Sequence, residues 1–255
     1  MDLSTTYLGF SLPHPFITGS SPLADNLGEV RRLEDGGAAA IVLRSLFEEQ
    51  LLEEEEAGHA ALAATAHLSA EADSYFYGAS DFTVGPEEYL EQVRRVKAAV
   101  RVPVIASLNG AHLDRCVGFA RQIQAAGADA LELNIYDVAT DPALSGAVLE
   151  NTQVRMVAAV RTALDIPIAV KISPFYASPL HFVLQLEQAG ARGVVLFNRF
   201  FDPDLDPEAL EVGRALAPST SAELPLRLRW TAILAGRTGL ALAVSGGVHT
   251  PQDAL

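Results

Sequence analysis

Several apolar runs of this 255-residue chain end on a residue that can do chemistry. In "IPIAVKISPF" the run stops at Lys171, whose ammonium group can stabilise a developing anion. In "LELNI" and "VLFN" the runs stop at Asn134 and Asn198, whose amides both donate and accept hydrogen bonds. The same position after other runs is held by Ser20, Arg44, Asn109 and Gly246. If the runs are strands of one barrel, these residues meet at one mouth and predict one active site.

Helix-like segments and apolar strands alternate along the chain. Three strands follow a helix that ends in glycine and alanine, and three follow a helix with a charged or proline-containing link; in order, these units span 33–45, 96–110, 123–135, 158–174, 186–198 and 234–247. The segment 14–21 adds a seventh strand. Glycine after a helix supplies a left-handed C-cap, and short apolar runs are typical of parallel strands buried on both faces. The alternation predicts either an open doubly wound sheet or a (β/α)8 barrel.

Two observations favour the barrel. No G-x-G-x-x-G follows the first strand, and polar residues end nearly every strand, whereas an open sheet needs them only near its switch point. The sequence therefore predicts an α/β (β/α)8 TIM barrel, with seven strands in this chain and an eighth beyond residue 255. We expect one domain over 1–255, with long β/α insertions at about 46–100 and 199–230.

Composition narrows the class of protein. With 49% hydrophobic residues the chain can bury a large core, and its net charge of −14 argues against a nucleic-acid partner. No uninterrupted apolar stretch reaches the roughly 18 residues of a membrane span. The one cysteine, Cys116, excludes an internal disulfide, and the six histidines include no i, i+4 pair of a metal-binding helix. We expect a cytoplasmic protein that acts on a small molecule and binds no metal, no membrane and no nucleic acid.

Six segments of the chain together resemble the dihydroorotate dehydrogenase family, whose members are FMN-containing (β/α)8 barrels of pyrimidine biosynthesis. In chain order the segments read "HPFITGSSP", "IVLRS", "LELNI", "VKISPF", "VLFN" and "VSGGVHTPQDAL", and they extend over nearly the whole chain. The resemblance implies an FMN flavoprotein, an oxidoreductase with a small-molecule substrate, and a homodimer.

The resemblance also implies which residues contact the flavin. In chain order these are Gly19 and Ser20 beside the isoalloxazine, Arg44 and Ser45 after the second strand, Asn134, Lys171 and Asn198 deeper in the mouth, and Gly246 and Gly247 at the phosphate. An ammonium group near the pyrimidine edge stabilises the negative charge of reduced flavin, and glycines let backbone N–H groups approach a phosphate. Structural roles remain open beside these, namely a strand-end lysine, asparagine caps and a glycine turn.

The chain departs from the family where the substrate binds. The family's fourth strand continues as Asn-x-Ser-Cys-Pro-Asn, or with Ser for Cys, and that Cys or Ser removes a substrate proton. Here "NIYDVA" puts Asp137 at the position of the base and Ala139 at that of the second asparagine. We therefore expect an FMN-dependent dehydrogenase of the CH-CH donor class that turns over dihydroorotate poorly. The alternatives are an inactive flavin-binding relative and a lyase that forms a Schiff base on Lys171.

Overall fold

The computed structural model describes residues 2–47, 85–110, 112–135, 140–199, 204–206, 211–213 and 219–254. Its strands are β1 (Thr5–Tyr7), β2 (Phe10–Leu12), β3 (Ile41–Phe47), β4 (Val104–Asn109), β5 (Ala130–Asn134), β6 (Ile168–Ile172), β7 (Gly193–Leu196), β8 (Asp204–Asp206), β9 (Glu211–Gly213) and β10 (Ala241–Val244). β1 and β2 form one antiparallel hairpin, and β8 and β9 form another. The remaining strands form a parallel sheet of six in the order β10-β7-β6-β5-β4-β3.

Helices alternate with these strands along the chain. They are α1 (Leu27–Asp35), α2 (Pro86–Ala99), α3 (Leu113–Ala125), α4 (Gly146–Ala163), α5 (Pro179–Gln188), α6 (Leu224–Leu234) and α7 (Pro251–Ala254). Gly37, Gly127 and Gly190, which follow α1, α3 and α5, have φ angles of +93°, +100° and +97°, as the glycine pattern in the sequence indicates. None of the helices in the described ranges has both the length and the apolar character needed to cross a lipid bilayer.

The predicted seven-stranded (β/α)8 barrel is wrong. In the described residues the parallel sheet has six strands, with β3 and β10 at its edges. The segment 14–21, expected as the first strand, contributes an isolated bridge between Thr18 and Ile41. Pro15 has no N–H to donate and Gly19 weakens an extended strand, so the pairing does not lengthen into a strand. The expected eighth strand depended on this barrel and is withdrawn with it.

The two predicted insertions are described in part. Residues 48–84 of the first lie outside the described residues, and its end forms α2. The second, at 199–230, contains β8, β9 and the beginning of α6. The organisation as one domain stays a prediction.

The two faces of the parallel sheet have different partners. Side chains such as Leu108 and Leu131 pack against the helices and form the larger core, which includes Val93 of α2 and Ile123 of α3. Successive residues of a strand point to opposite faces of the sheet, so the residues that alternate with these core residues along each strand face the other side. The helices therefore cover one face, and the other is left for different contacts.

The hairpin of β1 and β2 covers the lower part of the second face. Tyr7, Leu8 and Leu12 belong to one buried cluster with residues from five strands of the sheet, namely Val42, Ile105, Ala130, Ala169 and Val195. A Cβ atom at Gly193 of β7 would lie 2.7 Å from Leu8 Cδ2, so glycine at this position makes room for the hairpin. The hairpin gives this face an apolar layer.

Candidate functional site

Two rows of polar residues cross the second face near the carboxyl ends of the strands. Read across adjacent strands, the rows are Ser45, Ser107 and Glu132 in the first and Asn109, Asn134 and Lys171 in the second. Members of the two rows on one strand are two residues apart, so both rows occupy the same face of the sheet. All six residues are buried.

A hydrogen-bond network joins the first row to Asn134. The Asn134 Nδ2 donates to Ser45 Oγ (2.9 Å) and to Ser107 Oγ (3.1 Å), and these two hydroxyl oxygens lie 2.8 Å apart. Ser107 Oγ donates its one proton to Glu132 Oε1 at 3.5 Å, so it accepts from Asn134. The amide nitrogen therefore faces the serines, which leaves Asn134 Oδ1 as an acceptor. Ser20 Oγ extends the network and lies 3.2 Å from Ser45 Oγ.

Glu132 and Lys171 form a buried ion pair on adjacent strands. The distance from Lys171 Nζ to Glu132 Oε1 is 3.6 Å, and the two residues are 3% and 5% exposed, lysine first. An isolated charge at this depth would be costly, and an opposite charge offsets that cost. Because β5 and β6 pair directly, the sheet fixes the separation of the two backbone positions from which these side chains extend.

Tyr89 of α2 supports the row on β4. The register of β3 against β4 shifts between Val42 and Ser45, which marks a β-bulge. The Tyr89 hydroxyl donates to Ser107 O and accepts from Ser107 N, each at 2.9 Å. Burial raises the pKa of the Tyr89 phenol far above its usual value, so the group stays a neutral donor.

A cavity of about 400 Å³ lies at the carboxyl ends of the strands. Five of the predicted site residues form part of its wall, namely Gly19, Ser20, Arg44, Lys171 and Gly246. Further parts of the wall come from Arg199, Ser219 and Ser245. A Cβ atom at Gly19 would meet no described heavy atom within 4 Å, so this glycine leaves space at the wall.

Each cation of the cavity wall has a carboxylate partner. Besides the pair at Lys171, Arg44 Nη1 lies 3.2 Å from Asp25 Oδ2, and Arg199 Nη2 lies 3.5 Å from Glu223 Oε1. Burial raises the pKa of Asp25, and the Arg44 guanidinium opposes that shift. The described wall of the cavity includes the three cations and not their three carboxylate partners, so cationic groups face the cavity in a chain of net charge −14.

The loop after β10 is shaped by its contacts with α6. Gly246 and Gly247 have φ angles of +77° and +83°, which favour glycine. A Cβ atom at Gly247 would lie 2.9 Å from Leu224 N, and the side chain of Arg227 donates to Ser245 O. The turn and its packing account for Gly247 without a ligand, whereas Gly246 also lies at the cavity wall.

Three asparagines at the strand ends carry buried amide atoms that have no hydrogen-bond partner in the described part of the chain. The atoms are Nδ2 and Oδ1 of Asn109, Oδ1 of Asn134 and Oδ1 of Asn198. A buried polar atom without a partner costs about 1–3 kcal/mol, and native structures keep few of them. These atoms are therefore available to hydrogen-bond water or a polar group of a ligand.

The remaining predicted site residues lie in different places. Ser45 and Asn134 belong to the buried network next to the cavity residues Ser20 and Lys171. Asn198 is buried after β7, and Gly247 packs against the start of α6. The predicted base, Asp137, lies at 136–139, outside the described residues. The binding and catalytic roles of the predicted residues stay predictions.

Sequence reasoning missed two charged residues of this region. Glu132 stands two positions before Asn134, and this spacing on a strand is a signal that the two side chains share a face. Arg199 directly follows Asn198, but its position at the cavity wall depends on the path of the chain after β7. The sequence contains no comparable signal for that path.

No family model matches the chain. Among solved structures, a dihydrodipicolinate synthase from Agrobacterium tumefaciens is 16% identical, with a TM-score of 0.47 over 90% of this chain and 67% of that chain. A similarity of this size supports neither a shared fold nor a shared function.

Curated relatives give a clearer result. The catalytic subunit of dihydroorotate dehydrogenase B (NAD(+)) from Thermoplasma acidophilum is 24% identical over 100% of this chain and 82% of that protein. The protein of the same name from Thermoplasma volcanium is 23% identical with the same coverage. The one from Bacillus pumilus is 29% identical over 60% of this chain and 51% of its own length. The relationship predicted from the sequence motifs is confirmed: the chain is a distant relative of the dihydroorotate dehydrogenases.

Proposed function

We propose that the chain binds FMN at the polar strand ends around Lys171 and acts as an oxidoreductase that transfers a hydride from a small substrate to the flavin. The distant relationship to proteins named dihydroorotate dehydrogenase supports the reaction class. The cations and amides at the cavity support the cofactor.

The observation that carries the proposal is the set of partnerless amide atoms beside a buried lysine. The pyrimidine ring of FMN has an N–H group between two carbonyl oxygens. Asn134 Oδ1 can accept from such an N–H, and Lys171 can donate to a neighbouring carbonyl oxygen, because the two residues are register neighbours on β5 and β6. The residues present therefore fit the chemistry of the group.

Bound FMN would supply the hydride acceptor. Lys171 would hold a positive charge at the cavity wall, and the network of Ser45, Ser107 and Asn134 would keep the amide in one orientation. The proton that leaves the substrate requires a base, and Asp137 is the residue that the resemblance implies. Its reference pKa near 3.9 makes it a weak base unless burial raises that pKa.

We assign the phosphate of FMN to the wall formed by Ser245, Gly246 and Ser219. Gly246 lies at this wall, and the Ser219 hydroxyl, which is 2.8 Å from His249 Nε2, can donate to an anion when that ring nitrogen carries the shared proton. Arg199 contributes a guanidinium to the same cavity. A homodimer stays an expectation from the resemblance.

We propose further that dihydroorotate is a poor substrate. Ala139 lacks the amide that the family has at this position, and a carboxylate at Asp137 would repel an anionic substrate. Both changes concern the substrate rather than the flavin, so FMN binding would be retained. Replacing Asp137→Cys alone would not restore turnover, because Ala139 remains.

The test is to reconstitute the purified protein with FMN and to mix it without oxygen with dihydroorotate and with related small compounds. We expect bound FMN with a flavin spectrum and slow bleaching with dihydroorotate. Bleaching by another compound would identify the substrate class, and no bleaching by any would favour an inactive flavin-binding relative. Failure to bind FMN would overturn the cofactor, and turnover of dihydroorotate at about 1–1,000 per second would overturn the substrate argument.

A second candidate follows from the position of Lys171 alone. A lysine buried at a cavity wall can act as an amine nucleophile if it loses its proton, which is the chemistry of Schiff-base lyases. The test is borohydride trapping with small carbonyl compounds, followed by peptide mass mapping. The sequence contains two lysines, Lys97 and Lys171, so an adduct is readily assigned.

A further inference from the structure

We propose that Glu132 is a positioning residue for Lys171: its carboxylate keeps the Lys171 side chain protonated and fixes the ammonium group at the cavity wall. The effect on a flavin rests on the proposed function, whereas the charge state of Lys171 does not. This role decides which of the two candidate reactions the lysine can support.

Glu132 and Lys171 meet across two paired strands. Lys171 Nζ and Glu132 Oε1 are 3.6 Å apart, and both side chains are almost fully buried. Glu132 is two residues before Asn134, and Asn134 is the register neighbour of Lys171, so the carboxylate approaches the ammonium diagonally across two paired strands. Two adjacent strands of the sheet therefore carry the pair, and its burial limits the positions that the two side chains can take.

A hydrogen bond from Ser107 supports the Glu132 carboxylate. Ser107 Oγ donates to the same Oε1 atom that faces Lys171, at 3.5 Å. A hydrogen bond donated to a carboxylate favours its ionised form, and so does the neighbouring ammonium. Ser107 in turn is held by Asn134 Nδ2 and by the Tyr89 phenol at its backbone. The carboxylate thus has a supported position and a reason to stay charged.

Among the described residues, the other charged and titratable groups near the pair do not replace Glu132. Arg44 and Arg199 share the cavity wall with Lys171 and would disfavour its charge, but each is paired with its own carboxylate, Asp25 or Glu223. Tyr7 of β1 has a pKa raised by burial and by Glu132, so it stays a neutral phenol. In the described residues, Glu132 is the carboxylate at ion-pair distance from Lys171.

The chemical consequence concerns the lone pair of the lysine nitrogen. A protonated lysine has no lone pair to attack a carbonyl carbon, but it can donate hydrogen bonds and stabilise an anion. A neutral lysine can attack, which Schiff-base formation requires. With Glu132 ionised, Lys171 stays protonated and can stabilise an anion in the cavity, but it cannot attack a carbonyl carbon. Removing this carboxylate should make Lys171 a more reactive amine.

The experiment uses protein grown with lysine that carries ¹³C at Cε, without added flavin. Because the sequence has two lysines, the spectrum should contain two lysine signals, and the variant Lys97→Arg assigns them. In the parent protein we expect the Lys171 signal at the protonated position at neutral pH. In Glu132→Gln we expect the titration midpoint of the Lys171 signal to be lower by about one pH unit or more, and the midpoint of the Lys97 signal to be unchanged.

A matched control is Asp129→Asn, which removes the partner of Lys97. That pair is partly exposed, with Lys97 Nζ 2.6 Å from Asp129 Oδ2, and water can replace the lost carboxylate. We expect the Lys97 signal to move less in this variant than the Lys171 signal moves in Glu132→Gln.

Two outcomes would overturn the inference. One is a neutral Lys171 signal in the parent protein at neutral pH, which requires no variant to fold. The other is an unchanged Lys171 titration in a folded Glu132→Gln variant. Both outcomes are measured on protein without flavin. A failure to bind FMN would therefore contradict the proposed function without contradicting the role of Glu132.

Discussion

The phenol of Tyr89 and the backbone of Ser107 exchange two hydrogen bonds, one donated by the hydroxyl and one accepted by it, each at 2.9 Å. They lie beside the register shift in β3 between Val42 and Ser45, where strand-to-strand pairing is interrupted. A bulge leaves backbone groups of the neighbouring strand without ladder partners, and a helix side chain takes their place here. Tyr89 therefore holds the part of β4 that carries Ser107 into the polar network.

Replacing Tyr89→Phe should destabilise the fold. The change removes one hydroxyl but leaves both an N–H and a carbonyl group of Ser107 buried, so we expect a loss of about 2–4 kcal/mol in the free energy of unfolding. Urea denaturation measures this quantity. The control is Tyr176→Phe, which removes a hydroxyl bonded to the Gln153 side chain at a partly buried site and should cost about 1 kcal/mol. Equal losses in the two variants would contradict the role of Tyr89.

Replacing Lys171→Met should weaken FMN binding about tenfold and lower the reduction potential of the bound flavin, because the variant lacks the positive charge that stabilises the reduced, anionic flavin. Flavin retention and potentiometric titration measure the two effects. The single variant leaves Glu132 buried without this cation, so the double variant Lys171→Met/Glu132→Gln serves as a comparison in which the whole pair is removed. Lys97→Met is the control for loss of a lysine elsewhere. Unchanged flavin content and potential in a folded Lys171→Met variant would rule out Lys171 as a flavin contact.

Replacing Gly247→Ala should cost more stability than replacing Gly9→Ala. Both glycines have φ above +80°, so each alanine brings a backbone penalty of about 1 kcal/mol. The added Cβ at 247 would also lie 2.9 Å from Leu224 N, whereas a Cβ at 9 would meet no described atom within 4 Å. We expect thermal or urea unfolding to separate the two variants. A Gly9→Ala variant as unstable as Gly247→Ala would show that packing against α6 does not constrain the loop.

Asp253 should make stability depend on pH in the acid range. Its carboxylate accepts hydrogen bonds from Ser221 Oγ (2.7 Å), Thr250 N (2.9 Å) and His249 N (3.0 Å). The bond from Ser221, followed by that from His249, lowers the pKa of Asp253 from 3.8 to about 2. A carboxylate whose pKa is lower in the folded state stabilises the fold at pH values above its unfolded-state pKa. This stabilisation is lost as the pH falls through the folded-state pKa.

The measurement for Asp253 is urea unfolding of the parent and of Asp253→Asn at several pH values. We expect the difference in their free energies of unfolding to be largest above about pH 4, to shrink as the pH falls towards the folded-state pKa of about 2, and to vanish below it, where the parent carboxyl group is also neutral. A difference that stays constant across this range would mean that these hydrogen bonds do not depend on the charge of Asp253.

The convergence of Asn134 and Lys171 could be predicted from the sequence. Both residues end short apolar runs, and parallel strands bring their carboxyl ends to one edge. The register then makes them neighbours. The same rule places Lys171 at the cavity wall, whereas Gly19 and Ser20 reach that wall from a segment that forms an isolated bridge rather than a strand.

The parts that could not be predicted depend on contacts distant in sequence. The segment 14–21 has the composition of a strand, but its pairing is limited to one bridge, so the strand count was wrong. The bulge that pairs Ser45 with Ser107 is stabilised by Tyr89, whose role requires the position of α2. Glu132 resembles an interruption of an apolar strand until its pairing with Lys171 is known.

The apolar layer on the hairpin also determines how the cavity responds to ionic strength. Dissolved ions screen exposed charges over about 10 Å at 0.1 M salt, so the half-exposed pair of Arg94 and Glu91 will weaken as salt is added. Glu132 and Lys171 are buried on the face where Tyr7, Leu8 and Leu12 pack, and screening by salt reaches a buried pair much less. If Lys171 holds a ligand, as proposed, we expect salt to release that ligand less readily than it releases ligands held by surface charges.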